Sequence, residues 1–130
     1  NNWEVTKNAV DGNRAVIHHL TSIRDCAMDM EQALSRGNLK NVAPIFDREW
    51  KARKQLAPDI STPEMGRLMR AARKKGALAG KVCGAGGGGC VAFIVPPAKK
   101  QSVIDELTSK GGCVLPFRFV SRGLQTVVHR

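Results

Sequence analysis

The chain has 130 residues, 42% of them apolar and 5% aromatic, with 21 Lys and Arg against 11 Asp and Glu for a formal net charge of +10. Folding at this size buries roughly two-thirds of the surface an unfolded chain exposes, so one compact domain is expected, with no need for metal or disulfide staples. The longest apolar run ends at Pro96-Pro97, far short of the roughly 20 residues of a membrane helix; the basic charge points to anionic partners and is silent about fold.

In chain order, Asn1-Asn2-Trp3-Glu4-Val5 has no basic stretch leading into an apolar one, so no signal peptide is expected. The missing initiator Met reads as a segment of a longer chain. Val16, Leu20, Ile23, Ala27, Met30 and Leu34 recur at helical spacing and predict one long helix over 8–36, closed by Gly37. A second helix is expected over 39–56 with Leu39, Val42, Phe46 and Trp50 on one face and Pro44 near its start or at a kink. A third, 62–75, has Ser61 or Thr62 as N-cap, Pro63 in its first turn, Met65, Leu68, Met69 and Ala72 inward, and Gly76 as stop.

After Gly76 the period changes. Strands are expected over 79–83, 91–95, 114–120 and 124–129, with a fourth helix over 99–110 that turns Val103, Ile104 and Leu107 inward. Helices followed by a mostly antiparallel set of strands predict an α+β, two-layer domain with helices on one face of the sheet.

Six of the 13 glycines lie between Gly80 and Gly89, a density that is costly in chain entropy for a mere connection. Two readings stand side by side. Successive amides without Cβ atoms can form a nest for phosphate oxygens, or the glycines serve a tight turn that lets neighbouring backbone pack closely. Gly84-x-Gly86-x-x-Gly89 matches the dinucleotide fingerprint in letters, but that motif must enter a helix and this loop enters a strand. Gly84-x4-Gly89 has Walker spacing, yet Cys90-Val91 stands where Lys-Ser/Thr is required.

Residues 48–81 hold ten Lys or Arg against Glu49, Asp59 and Glu64, so +7 of the +10 falls in this segment. Lys81, directly before the loop, is a candidate phosphate contact or a solvated strand-edge lysine. Arg67, Arg70, Arg73 and Lys74 read as a solvated helix face. A nucleic-acid- or polyanion-binding module is the alternative, opposed by six aromatics, no Tyr, and no RNA-recognition or helix-turn-helix signature. Asp25 and Asp29 lie off the apolar stripe, His18-His19 has no nucleophile partner, and Trp50 fits core packing better than sugar stacking. No catalytic or metal-ligating set emerges: Cys26, Cys83, Cys90 and Cys113 contain no C-x-x-C pair, a zinc site with His129 matches no common spacing, and the thiols read as reduced in a cytoplasmic protein.

The strand, the loop from Gly80 through Gly84-Ala85-Gly86-Gly87-Gly88-Gly89 to Cys90, and the apolar strand after it resemble the third motif of the GHMP small-molecule kinases. The resemblance extends over the long first helix, Asp47 to Lys54, Pro58 to Pro63, Gly76 to Gly80 and the Val95-Pro96-Pro97 exit, and is strongest to the branch that phosphorylates heptose 7-phosphate, to which the opening Asn1-Asn2-Trp3-Glu4 is also similar. Cys90, where that branch often has an aromatic residue, and Val82-Cys83 depart from it. The resemblance implies a ferredoxin-like domain with extra N-terminal helices, the first strand lying upstream of Asn1. It implies the C-terminal half of a kinase that uses ATP and Mg²⁺, whose N-terminal half supplies the phosphate loop and the magnesium ligands. Gly84, Ala85, Gly86, Gly87, Gly88 and Gly89 would line the wall where a sugar phosphate meets the γ-phosphate, and this chain alone would not turn over ATP.

Overall fold

A computed structural model describes residues 2–127. Among the described residues the chain forms five helices and one antiparallel hairpin: α1 Asn2–Val10, α2 Arg14–Ser35, α3 Val42–Arg53, α4 Pro63–Lys74, the strands β1 Ala79–Val82 and β2 Val91–Ile94, and α5 Lys100–Ser109. Single 3-10 turns, Leu39–Asn41, Pro58–Ile60 and Pro97–Lys99, lead into α3, α4 and α5.

The first predicted helix is two. Gly12, at φ +81°, turns the chain between them, and the side chain of Asn13 caps α2 by accepting from the amides of Ala15 at 3.1 Å and Val16 at 3.2 Å. The inward stripe of α2 also drifts from the expected one. Cys26 and Ala33 are buried where Ala27 and Leu34 were expected; each lies one position before the expected residue, on the adjoining edge of the same helix face. Leu39, expected on the inner face of the second helix, is 70% exposed, since it belongs to the 3-10 turn before α3 and not to the helix.

Helix α4 forms as its signals dictate. Thr62 Oγ1 accepts from the Met65 amide at 3.2 Å, Pro63 occupies the first turn, and Gly76 at φ +107° follows the end. Helix α3 packs against both α2 and β1, and α4 against α5 and β1. The main core joins Val5, Val16, Trp50, Leu56, Ile60, Met65, Met69 and Val82, so Trp50 is a core residue. Smaller cores form around Cys26, Ala33 and Ile45, and around Ala72, Ala77 and Val103.

The sheet is smaller than expected. Its register pairs Ala79 with Ile94, Gly80 with Phe93, Lys81 with Ala92 and Val82 with Val91, while residues 113–127 run without strand pairing. The predicted strand 114–120 is therefore absent, and so is the described part of 124–129, whose last residues lie outside the described ones. A strand exists only by pairing with a neighbour; here Phe117, Phe119 and Leu124 stand 81%, 95% and 95% exposed, with no sheet edge beside them to bury their alternating apolar side chains. The chain is nonetheless α+β, with its helices layered on the hairpin.

Candidate functional site

The loop between β1 and β2 is built from the hairpin outward. One step past Val82 and Val91, the Cys83 amide donates to the Cys90 carbonyl at 2.8 Å, so the strands stay in register to the neck of residues 84–89. Inside the loop the Gly87 amide donates to the Ile60 carbonyl at 3.1 Å. Ile60 is itself buried in the main core beside Val82. The loop thus leans on the Pro58–Ile60 turn.

Gly86 makes that docking possible. It sits at φ +90°, and a Cβ there would come within 2.7 Å of the Ile60 carbonyl oxygen and 2.8 Å of its Cα, a backbone conflict that no side-chain rotation relieves. Gly88 is different in kind: its φ lies outside the left-handed range, and a Cβ added to it would meet nothing within 4 Å. Neither its own conformation nor its neighbours require a glycine at that position. Among the described residues, the amides of Gly84, Ala85, Gly86, Gly88 and Gly89 donate to no protein acceptor. The loop meets the chain at Gly86 and Gly87, while Gly84, Ala85, Gly88 and Gly89 are exposed.

Lys81 does not reach into this loop. Its ammonium lies 2.8 Å from Oε1 of Glu49 on α3 and 5.5 Å above the Phe46 ring. Arg53, one turn along α3, donates to the same carboxylate oxygen from Nε at 2.7 Å. Glu49 is buried, and its second oxygen has no hydrogen-bond partner. The three side chains form a compact link, two cations on one buried carboxylate, that ties α3 to the strand entering the glycine loop. Nothing in the sequence marked Glu49 as special; its i, i+4 spacing to Arg53 beside the core residue Trp50 was the available signal.

The other basic residues disperse. Arg48 pairs with Asp29, Arg67 with Glu64, Arg73 with Asp47 at 2.5 Å and Lys75 with Glu106 at 3.6 Å. With Arg53 and Lys81, which share Glu49, six of the ten cations in 48–81 are therefore paired with carboxylates. Arg67, Arg70, Arg73 and Lys74 are exposed. The Arg48 guanidinium is held above its usual range first by its hydrogen bond to the buried Cys26 sulfur and then by Asp29. A shallow groove lined by Lys40, Ala43, Pro44, Asp47, Arg48, Lys51 and Leu78 opens beside the start of β1, at the end of the strand away from the glycine loop. Of the candidate acids, Asp25 pairs with Arg24 and Asp29 with Arg48, both on exposed surface; His18 and His19 pack edge to face.

Comparison with known proteins places this geometry. Residues 30–113 match the family model described as GHMP kinases C terminal. Over 115 residues, 88% of this chain, the sequence is 31% identical to a D-glycero-alpha-D-manno-heptose 7-phosphate kinase of Campylobacter jejuni, 34% of whose length is covered. It is 38% identical over 66 residues, 51% of this chain and 20% of the relative, to a mevalonate kinase of Thermococcus onnurineus. Among solved structures, a Lin0012 protein from Listeria innocua superposes with a TM-score of 0.78 at 21% identity, covering 89% of this chain and 34% of that one. The chain thus spans about a third of the length of the heptose-phosphate kinase and of the superposed structure.

Proposed function

The chain belongs to the GHMP kinases, as their C-terminal domain, and from that premise we propose that it forms one wall of a phosphoryl-transfer site whose other wall is an N-terminal, nucleotide-binding half. The reaction moves the γ-phosphoryl group of ATP to a hydroxyl of a small acceptor, a heptose 7-phosphate or a closely similar sugar phosphate. The single observation that carries this reading is the run of unengaged amides at Gly84, Ala85, Gly86, Gly88 and Gly89 beside the one, Gly87, that anchors the loop. Amides held in place before a phosphate arrives stabilise the charge that builds on transfer without having to reorganise.

The residues present fit phosphate oxygens and do not fit a metal. No carboxylate, imidazole or hydroxyl lies within 84–89, and among the described residues no group of three or more His, Cys, Asp and Glu is placed to hold an ion. Mg²⁺ ligation therefore belongs, in this reading, to the other half. The loop amides orient and neutralise the transferring phosphate, while the turn at Pro58–Ile60 fixes their distance from the body of the domain. Lys81 is assigned to bracing, because its ammonium is already held by Glu49. Support for a heptose-phosphate acceptor comes from the relative matched over 88% of the chain, against 51% for the mevalonate kinase.

Gly88→Ala tests the reading in the kinase that carries this chain joined to its N-terminal half. The substitution meets no protein atom within 4 Å and reduces unfolded-state entropy, so stability is expected to hold or rise by up to about 1 kcal/mol. If the amide edge faces a reacting phosphate, the added methyl lowers kcat/KM by about tenfold or more. Turnover within about twofold of the parent would return the loop to a purely structural role.

A further inference from the structure

The family premise leaves the cysteines without a role, and two of them occupy a defined place. Cys83 and Cys90 are directly opposed across the hairpin, one register step beyond Val82 and Val91, with the Cys83 amide bonded to the Cys90 carbonyl at 2.8 Å. Residues opposed in this way project from the same face of the ladder, and a hydrogen-bonded antiparallel pair has its α-carbons typically about 5.5 Å apart, within the span that a disulfide bridges. Both are exposed. Each is followed, on the loop side, by a glycine with open space around it, Gly84 after Cys83 and Gly89 before Cys90, so the neck has room to bring the sulfurs together.

We propose that Cys83 and Cys90 are a reversible oxidation site, forming a disulfide across the neck of the glycine loop. With a peroxide as oxidant, one thiolate attacks a peroxide oxygen, the O–O bond breaks, and a sulfenic acid forms as the first water leaves. The second thiol's sulfur then displaces the sulfenic oxygen as a second water. Two electrons pass from the two sulfurs to the peroxide, the two thiol protons end on water, and the S–S bond is the only new bond in the protein. A dithiol reductant reverses it by exchange, becoming a disulfide itself. The other two cysteines do not share this geometry: Cys26 is buried against Arg48, and Cys113 lies beyond α5 in the unpaired segment. The bond would close residues 83–90 into a ring and restrict the loop's amides. That consequence for catalysis rests on the function proposed above, whereas the bond itself does not.

The experiment treats the intact kinase with a small molar excess of hydrogen peroxide, alkylates it and digests it with trypsin. Cleavage after Lys81 and Lys99 leaves both cysteines in one peptide. The expected product is that peptide lighter by about 2 Da, blocked to alkylation, and restored by dithiothreitol. Cys83→Ser and Cys90→Ser each abolish it, and Cys113→Ser does not. Two alkyl groups on the oxidised peptide, pairing of either residue with Cys113, or advance to sulfinic acid with no disulfide would each overturn the proposal. Activity read on the same samples separates the two ideas: loss of turnover that dithiothreitol restores supports both, while a formed bond with unchanged turnover supports the oxidation site and removes the loop from the catalytic wall.

Discussion

Replacing Glu49 by Gln removes one negative charge from a site where it faces two cations and keeps the shape of the side chain. In the folded protein Lys81 and Arg53 approach one oxygen of Glu49, at 2.8 Å from Nζ and 2.7 Å from Nε. Their side chains are 20% and 26% exposed, and that of Glu49 is 9% exposed. Removing one member of a fully buried ion pair costs about 3–5 kcal/mol, because the partner is left without compensation. Both cations here can still reach water in part, so the expected loss is smaller, about 2–3 kcal/mol. A chain of this length unfolds with an entropy of about 0.27 kcal/mol/K, and the Tm is expected to fall by about 7–11 °C. Lys81→Met alone should cost about 1 kcal/mol, since Arg53 remains to neutralise Glu49. In the double variant the losses should fail to add, by about 1 kcal/mol or more, if the link acts as a unit. Thermal unfolding followed by circular dichroism, with urea titrations to check that the m-value is unchanged, gives all three numbers. A Tm drop under about 3 °C for Glu49→Gln, together with additive losses in the double variant, would refute the bracing argument.

Gly86→Ala forces a side chain into φ +90° and against the Ile60 backbone; it should cost about 1–2 kcal/mol, limited because the loop can lift off its turn, and amide exchange at Gly87 should accelerate. Normal stability with a protected Gly87 amide would show that the docking seen here is not the solution state. Asn13→Ala removes the acceptor for two orphan amides of α2 and should lower stability by about 1 kcal/mol, whereas Asn13→Asp should be nearly neutral. The 130-residue chain by itself is expected to show no magnesium-dependent, sugar-stimulated ATPase, because its described residues offer no metal-ligating set; measurable turnover would contradict the two-walled site.

The relation between sequence and structure differs from element to element. Helix α4 was legible to its caps, because Thr62, Pro63 and Gly76 act locally through backbone geometry and hydrogen bonds within one turn. The break at Gly12 was open to the same kind of reasoning, since Gly12-Asn13 is a stop followed by a cap and the apolar stripe of the long helix begins only at Val16. Strands after residue 113 were read from alternation, which describes what a paired strand would bury and says nothing about whether a partner edge is present.

The glycine-rich loop, its strand flanks and its kinship with a kinase motif were determined by the sequence alone, because glycine content and turn chemistry are local properties that survive in one dimension. Tertiary structure decided what the loop and its neighbours do with that chemistry. It set Gly86 and Gly87 against Ile60, 27 residues before Gly87 in the chain, and left Gly88 with no structural need to be glycine. It also drew six of the ten cations of residues 48–81 into ion pairs, giving Lys81 to a glutamate 32 positions earlier. Charge and glycine can be counted along a chain, but whether a cation is free or an amide unengaged depends on which distant groups the fold brings within about 3 Å.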